Sequence, residues 1–244
     1  MEILGIDIGG SGIKGAPVDI KTGELVSNRK RIPTPDPSSP ENVAKTLIDI
    51  VQHFNWTGPV GCGFPAVVHD GEIYTASNID KNWIGTNAAQ LFTKTTGCEF
   101  VVINDADAAG VAEMEFGAGK DHQGVVFIIT VGTGIGTALF SKGRLVPNTE
   151  LGHIIMYGMI AERYSSDAVR KNEGLSWKKW SKRFNEYLAE IERLFWPDLI
   201  IIGGGVSKKH SKFFHYLETK TQIVAAHLQN EAGIIGAAMA TKYL

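Results

Sequence analysis

The sequence has little of what marks several specialised classes of protein. It contains two cysteines in 244 residues, Cys62 and Cys98, and their spacing matches no CxxC pattern, so we expect neither a disulfide framework nor a cysteine zinc site. No run of about 18 apolar residues is present, which argues against a membrane-spanning helix. The first residues lack the basic start and the apolar core of a signal peptide. Together these absences predict a cytoplasmic protein.

An excess of charge of one sign is also missing. Lys and Arg number 24 and Asp and Glu number 26, which gives a formal net charge of −2 and no indication of a nucleic-acid partner. Hydrophobic residues make up 43% of the chain and charged residues 20%, as in an ordinary globular protein. The length of 244 residues suits one large domain or two small ones.

Three clusters of glycine each follow a predicted buried strand: Gly9–Gly15, Gly132–Gly136 and Gly203–Gly205. Glycine loops let backbone N–H groups approach an anion closely, and a phosphate is the usual ligand. The tetrapeptide Gly10-Ser11-Gly12-Ile13 is echoed by Gly132-Thr133-Gly134-Ile135, 122 residues later and half a chain away. Because each copy lies between two predicted strands, the repeat indicates duplication of one α/β unit. Facing halves would bring both glycine turns to one cleft.

Several interpretations of these glycine loops are possible. Gly10-x-Gly12-x-x-Gly15 fits the dinucleotide fingerprint formally, but that motif opens a helix, and here a strand is predicted next. Gly119-Lys120 is followed by Asp121, so a Walker loop fails. Tight hairpins without a ligand remain an alternative, and Gly203–Gly205 can be a plain strand-to-helix turn.

The spacing of apolar residues and the positions of capping residues and glycines predict the other helices and strands. A helix over residues 40–54 follows the cap Ser39, and Thr86 is predicted to cap a helix that ends before Gly97. Ser207 is a candidate cap near the third glycine cluster. The remaining predictions are a strand over 25–32, helices over 108–116, 161–171 and 232–243, a loop over 144–153, and a long helix with Trp180 on its apolar face.

Asp105 is the candidate for acid–base chemistry. It follows the apolar stretch Phe100–Ile103 and stands beside Asn104 and Asp107. A carboxylate in this position either caps the next helix or, in a phosphate-binding protein, accepts the proton of an attacking hydroxyl. The polar residues that we would place around a sugar are Asn78, Asn104, Glu150, His153 and Glu162. Each alone is more often a loop or cap residue, and spacing does not bring them together.

Four segments together resemble the ROK family (repressors, open reading frames and sugar kinases): Asp7–Lys14, Asn104–Ala109, Gly132–Gly136 and Glu150–His153. The resemblance runs from residue 3 to the last helix. It implies a duplicated actin-like, hexokinase-like (ribonuclease-H-like) α/β fold with two lobes around a central cleft. The small lobe would comprise residues 1–104, with the helix 232–244 packing back on it, and the large lobe residues 105–231.

The resemblance also implies roles for single residues. Asp105 would be the base that deprotonates the 6-hydroxyl of glucose, and Asp7 would lie near a Mg²⁺ ion. Glucose would be bound by Gly63, Asn78, Asn104, Asp105, Glu150, His153 and Glu162. The phosphoryl donor would be bound by Asp7, Gly9, Gly10, Ser11, Gly12, Lys14, Thr133, Gly134, Gly204 and Gly205.

Within the family, the chain most resembles members that use inorganic polyphosphate as donor, through the segments 76–87, 147–150, 196–198 and 228–234. The implied reaction moves a phosphoryl group from polyphosphate, with ATP as a second donor, to glucose. Met156–Ala161 carries no cysteine where typical members have a zinc loop, so zinc is not expected. A basic track for polyphosphate has the candidates Lys14, Lys120, Arg144, Lys208, Lys209 and Lys212.

Other readings stay open within this resemblance. One is a strictly ATP-dependent hexose kinase, another is a non-catalytic sugar sensor, and a third is a structural actin-like protein. The absence of a DNA-binding region ahead of Gly5 argues against a repressor. A homodimer is expected from the resemblance alone, with Trp177 and Trp180 available for an interface or for the core.

Overall fold

A computed structural model describes residues 1–77 and 79–243. The strands in this part of the chain are β1 (Glu2–Gly9), β2 (Gly12–Asp19), β3 (Glu24–Leu25), β4 (Lys30–Ile32), β5 (Val60–Phe64), β6 (Val68–His69), β7 (Glu72–Ile73), β8 (Phe100–Asn104), β9 (Val125–Val131), β10 (Ile135–Ser141), β11 (Arg144–Val146), β12 (Ile155–Met156), β13 (Met159–Ile160), β14 (Leu199–Gly203) and β15 (Gln222–Ala225). The helices are α1 (Pro40–His53), α2 (Ala88–Thr96), α3 (Asp105–Phe116), α4 (Glu162–Ser165), α5 (Asp167–Asn172), α6 (Trp177–Phe195) and α7 (Ala232–Ala240). No helix of the described residues combines the length and the apolar character needed to cross a bilayer.

The chain forms two compact units. Unit 1 comprises Met1–Ala112 and Glu231–Leu244, and unit 2 comprises Glu113–Asn230, so the division falls inside α3. The lobe boundaries expected from the resemblance, 1–104 and 105–231, stay a prediction.

The two units contain sheets with the same strand order. In unit 1 the order is β3-β2-β1-β5-β8, with β4 also paired to β2, and in unit 2 it is β11-β10-β9-β14-β15. In both sheets the central strand pairs antiparallel with its hairpin partner on one side and parallel with a later strand on the other. Each glycine repeat connects the two strands of its hairpin. The predicted duplication of one α/β unit therefore matches the topology.

The sheet of unit 1 is covered on both faces. Ser39 caps α1 by accepting the N–H of Asn42, and the helix buries its apolar side against the strands. A Cβ on Gly15 would meet Ile50 of α1, whereas one on Gly5 would lie 2.0 Å from the Ile234 carbonyl oxygen of α7. Gly5 and Gly15 point to opposite faces, because Gly15 pairs with Ile6, the neighbour of Gly5. The helices α1 and α7 therefore sandwich the sheet.

The core of unit 2 lies between its sheet and α6. Ser176 caps this helix by accepting the N–H of Lys179, and the buried face carries Trp180, Phe184 and Ile191. The helix ends at Phe195, and Trp196 takes a left-handed conformation at φ 49°. Of the two uses considered for Trp180, the structure supports core packing, because its side chain is fully buried.

Some predicted element boundaries were wrong. The strand over 25–32 is interrupted at residues 26–29, opposite Ala16 and Pro17 of β2. Pro17 has no N–H to donate to a neighbouring strand. The predicted helix over 161–171 is divided by Ser166, which is extended and caps α5 through the N–H of Val169. The loop over 144–153 contains β11 and a 3₁₀ turn at Leu151–His153.

Helix ends were also misjudged in places. Asn87 rather than Thr86 caps α2, because the Asn87 side chain accepts the N–H of Gln90 while the Thr86 hydroxyl donates to the Asn82 carbonyl. The Ser207 hydroxyl does not cap a helix but donates back to the Gly204 carbonyl. The last helix ends at Ala240 and continues as a 3₁₀ turn to Tyr243.

Candidate functional site

The first glycine cluster is a two-residue hairpin loop. Gly9 of β1 pairs with Gly12 of β2, which leaves Gly10 and Ser11 at the tip. Two side chains from the following segment hold the loop: the Thr34 hydroxyl donates to the Gly9 carbonyl, and the Arg31 guanidinium donates to the Ser11 carbonyl at 2.7 Å. This arrangement excludes the helix-opening turn that a dinucleotide fingerprint requires.

Asp7 and Lys14 face each other below this hairpin. They are directly opposite in the β1–β2 register, and the Lys14 Nζ lies 2.9 Å from the Asp7 Oδ2. The Asp7 carboxylate also packs against Gly233 in the first turn of α7, where an added Cβ would come within 2.9 Å of the carboxyl carbon. Both side chains are mostly buried, so their orientation is set by the fold of unit 1.

Asp105 begins α3, directly after β8. Its neighbour Asn104 is buried and caps the helix: Oδ1 accepts the N–H groups of Ala106 and Asp107 at 2.9 and 3.0 Å, and Nδ2 donates to the Ala66 carbonyl at 3.0 Å. On β5, a Cβ at Gly63 would lie 3.6 Å from the Asp105 Cα. Asp105 is thus held on a capped helix start, and the capping role considered for it belongs to Asn104.

The second glycine hairpin lies against the third glycine cluster in unit 2. Gly132 donates its N–H to the Gly134 carbonyl at 3.0 Å, and Thr133 is exposed at the tip. Gly204 packs on the backbone of Val131, and Val206 donates to the Val131 carbonyl at 3.2 Å. The structure therefore brings together Thr133, Gly134, Gly204 and Gly205, which the sequence predicted as donor-binding residues.

Glu150, His153 and Glu162 converge in unit 2. The His153 Nδ1 lies 3.5 Å from the Glu150 Oε2, and its Nε2 lies 3.8 Å from the Glu162 Oε1. The Glu162 Oε2 accepts the N–H of Ile135, the first residue after the second hairpin loop, at 3.3 Å. Burial raises the pKa of the Glu150 carboxyl, the charge of Glu162 raises it further, and His153 opposes the rise. This cluster offers carboxylate and imidazole groups to the hydroxyls of a polar ligand.

The structure does not assign the other predicted residues to these groups. Asn78 lies outside the described residues. Lys120, Arg144, Lys208, Lys209 and Lys212 are exposed, whereas Lys14 pairs with Asp7 beside the first glycine hairpin. Among the described residues, no three His, Cys, Asp or Glu side chains are grouped so that they could hold a metal ion alone.

Sequence reasoning missed Arg31 and Thr34. Both contact the first hairpin from more than 19 positions along the chain, and their contacts depend on the pairing of β4 with β2. The adjacent basic residues Arg29, Lys30 and Arg31 were the available signal, but alternation alone does not say which of them reaches the loop.

The sequence is similar to those of known sugar kinases. The sequence profile of the ROK family matches residues 3–174. The polyphosphate glucokinase of Mycobacterium tuberculosis (strain H37Rv) is 48% identical over 239 residues, which cover 98% of this chain and 90% of that protein.

The structure is also similar to solved structures of sugar kinases. The inorganic polyphosphate/ATP-glucomannokinase from Arthrobacter sp. strain KM superposes with a TM-score of 0.97 at 44% identity, covering 100% of this chain and 99% of that one. A ROK family glucokinase from Streptomyces griseus, solved with glucose and AMPPNP, has a TM-score of 0.83 at 25% identity and 98% coverage of both chains. The two mixed α/β sheets therefore have the actin-like architecture of these sugar kinases.

Proposed function

The chain belongs to the ROK family, and from this premise we propose that it is a sugar kinase that transfers the terminal phosphoryl group of inorganic polyphosphate, and also of ATP, to the 6-hydroxyl of glucose. The observation that carries the proposal is the full-length similarity to proteins whose names state this activity. The matched region includes both glycine hairpins, Asp105 and the Glu150–His153–Glu162 cluster.

For the acceptor, we propose that Asp105 accepts the proton of the glucose 6-hydroxyl as its oxygen attacks the terminal phosphorus. Phosphoryl transfer depends mainly on positioning and charge stabilisation, so a fixed carboxylate is what the step needs. The cap made by Asn104 supports this role, because it holds the start of α3 and leaves one Nδ2–H for a sugar hydroxyl. Glu150, His153 and Glu162 would bind other hydroxyls, together with Gly63 and Asn78.

For the donor, we propose that the hairpin Gly9–Gly12 with Lys14, and Thr133–Gly134 with Gly204–Gly205, bind its phosphates through backbone N–H groups, hydroxyls and the ammonium group. Mg²⁺ is usually held by one or two carboxylates together with substrate phosphates, and Asp7 fits the protein part of such a site. The ion would neutralise charge on the donor. The residues of the chain would orient the phosphates and exclude water.

The test of this function replaces Asp105 with Asn and measures glucose 6-phosphate formation with polyphosphate and with ATP. The value of kcat should fall by about 10²–10⁴-fold, while glucose still raises the melting temperature of the variant as in the wild type. Wild-type turnover in Asp105→Asn would contradict the role of Asp105.

The wild-type protein separates the remaining alternatives in the same assay. Activity with ATP and none with polyphosphate of any length would make it an ATP-dependent hexose kinase. Glucose-dependent thermal stabilisation with no turnover on either donor would make it a sugar-binding protein without catalysis.

A further inference from the structure

Three charged side chains form a row across the sheet beside the first glycine hairpin. Asp7 of β1 is opposite Lys14 of β2, and Lys14 is opposite Arg31 of β4. Residues directly opposite in antiparallel strands project from the same face. Lys30 and Ile32 project from the other face, where Ile32 packs against the core. The row contains two cations and one carboxylate.

This row is electrostatically unbalanced. Like charges directly opposite on neighbouring strands destabilise a sheet, and Asp7 compensates Lys14, from which it is 2.9 Å away. Arg31 donates its hydrogen bond to a neutral group, the Ser11 carbonyl. An anion that joins the row would balance the second cation.

The position of the guanidinium group is built into the hairpin. Its hydrogen bond to Ser11 is 2.7 Å, and a Cβ at residue 12 would lie 2.7 Å from both Nε and Nη2. Glycine at position 12 therefore makes room for the Arg31 guanidinium group. A guanidinium group has five N–H donors in a planar fork, and the Ser11 carbonyl accepts from Nη2. The fork is exposed at the hairpin and matches two oxygens of one phosphate.

We propose that Arg31 binds the phosphoryl donor, through a bidentate contact with one phosphate of the phosphoanhydride chain that polyphosphate and ATP share. This inference rests on the proposed function, because it assigns a further residue to the donor site. Arg31 joins the Gly9–Gly12 loop and Lys14 in a single anion site within unit 1. Arg31 contacts the phosphate chain and not the sugar acceptor. It therefore contributes to binding of the donor and not to binding of glucose.

The experiment compares Arg31→Gln with Lys30→Gln, which removes the same charge from the opposite face of β4. In Arg31→Gln the KM for polyphosphate and the KM for ATP should each rise about 10-fold or more, with the KM for glucose unchanged. Arg31→Lys should fall between, because an ammonium group keeps the charge but loses the fork. Lys30→Gln should resemble the wild type. Donor KM values within twofold of the wild type in Arg31→Gln, a rise with one donor alone, or an equal rise in Lys30→Gln would overturn the proposal.

A binding measurement separates this proposal from the proposed function. Inorganic tripolyphosphate should raise the melting temperature of the wild type and of Lys30→Gln, and the shift should be lost in Arg31→Gln. If the wild type transfers no phosphoryl group but shows this pattern, the function is wrong and the anion site stands. If the wild type turns over and Arg31→Gln binds tripolyphosphate normally, the function stands and the role of Arg31 is wrong.

Discussion

At the scale of single residues, Glu162 links the candidate site in unit 2 to the second glycine hairpin. One carboxylate oxygen accepts the N–H of Ile135, next to the second glycine loop, and the other lies 3.8 Å from His153. Its charge also adds to the rise in the pKa of Glu150 that burial causes. A change at Glu162 should therefore be visible in how Glu150 titrates.

The affinity for glucose should fall at acidic pH, and this fall is called the acidic limb. Replacement of Glu162 with Gln should move the acidic limb to lower pH. A raised carboxyl pKa means that Glu150 takes up its proton at a higher pH than an ordinary Glu, and the protonated form loses acceptor capacity. Without the charge of Glu162 the pKa of Glu150 falls, although its burial remains. The measurement is the dissociation constant of glucose, by titration calorimetry, from neutral to acidic pH.

The control for this experiment is Glu150→Gln, in which the limb should disappear because the titrating group is gone. A limb that persists in Glu150→Gln would assign it to another residue. A limb that stays at the wild-type pH in Glu162→Gln would mean that the two carboxylates do not interact.

At the scale of elements, the turn after β14 has two neighbouring glycines, and the physical reason for glycine differs between the two positions. Gly204 has φ 73°, and a Cβ there would lie 2.6 Å from the Val131 backbone. Gly205 has an ordinary φ, and no atom lies within 4 Å of the position of its Cβ. Backbone geometry and packing require glycine at 204 but not at 205. An approaching ligand is a reason for glycine at 205.

The pair Gly204→Ala and Gly205→Ala tests this difference. Gly204→Ala should lower the free energy of unfolding by about 1–3 kcal/mol or more, since a left-handed backbone is strained with a side chain. Gly205→Ala should change it by less than about 0.5 kcal/mol and should raise the KM for the phosphoryl donor. Urea unfolding and donor kinetics measure the two effects. Unchanged donor kinetics in Gly205→Ala would remove this turn from the donor site, and wild-type stability of Gly204→Ala would contradict the strain argument.

At the scale of the whole molecule, the end of the chain completes the unit formed by its beginning. The helix α7 is apolar all round, and eight of its nine residues are buried. It contacts β1, β2, β5 and β8. Glycines at the contact let the backbones meet: a Cβ on Gly61 would lie 1.7 Å from the Ala237 carbonyl oxygen, and one on Gly236 would lie 1.6 Å from that of Ala108. Without residues 231–240, one face of the sheet in unit 1 would therefore be uncovered.

Truncation after Asn230 should therefore destabilise unit 1. The expected result is a loss of soluble protein or rapid proteolysis within residues 1–112, because the apolar face of β1 and β5 loses its cover. Limited proteolysis followed by mass spectrometry measures the sites of cleavage. Truncation after Ala240 is the matched control and should behave as the full chain does. A chain ending at Asn230 with wild-type resistance would show that α7 is dispensable for unit 1.

The sequence alone determined the features that depend on neighbouring residues. Apolar runs and bounding glycines predicted β1, β9 and β14, and helical spacing predicted α1 and most of α6. The repeated Gly-x-Gly-Ile predicted two equivalent hairpins, and the strand after each one correctly excluded a dinucleotide fingerprint. The family resemblance supplied the candidate roles of Asp105 and of the sugar-binding residues, which the experiments above test.

Only the tertiary structure decided which distant residues meet. The register of β4 against β2 puts Arg31, and not Lys30, beside the first hairpin, and a shift of one residue would exchange them. The fold of residues 150–162 brings Glu162 to the N–H of Ile135, and the Asn104 side chain donates to the carbonyl of Ala66. The physical reason is that these contacts join residues up to 38 positions apart, so strand register and core packing select them. Local periodicity contains no information about either.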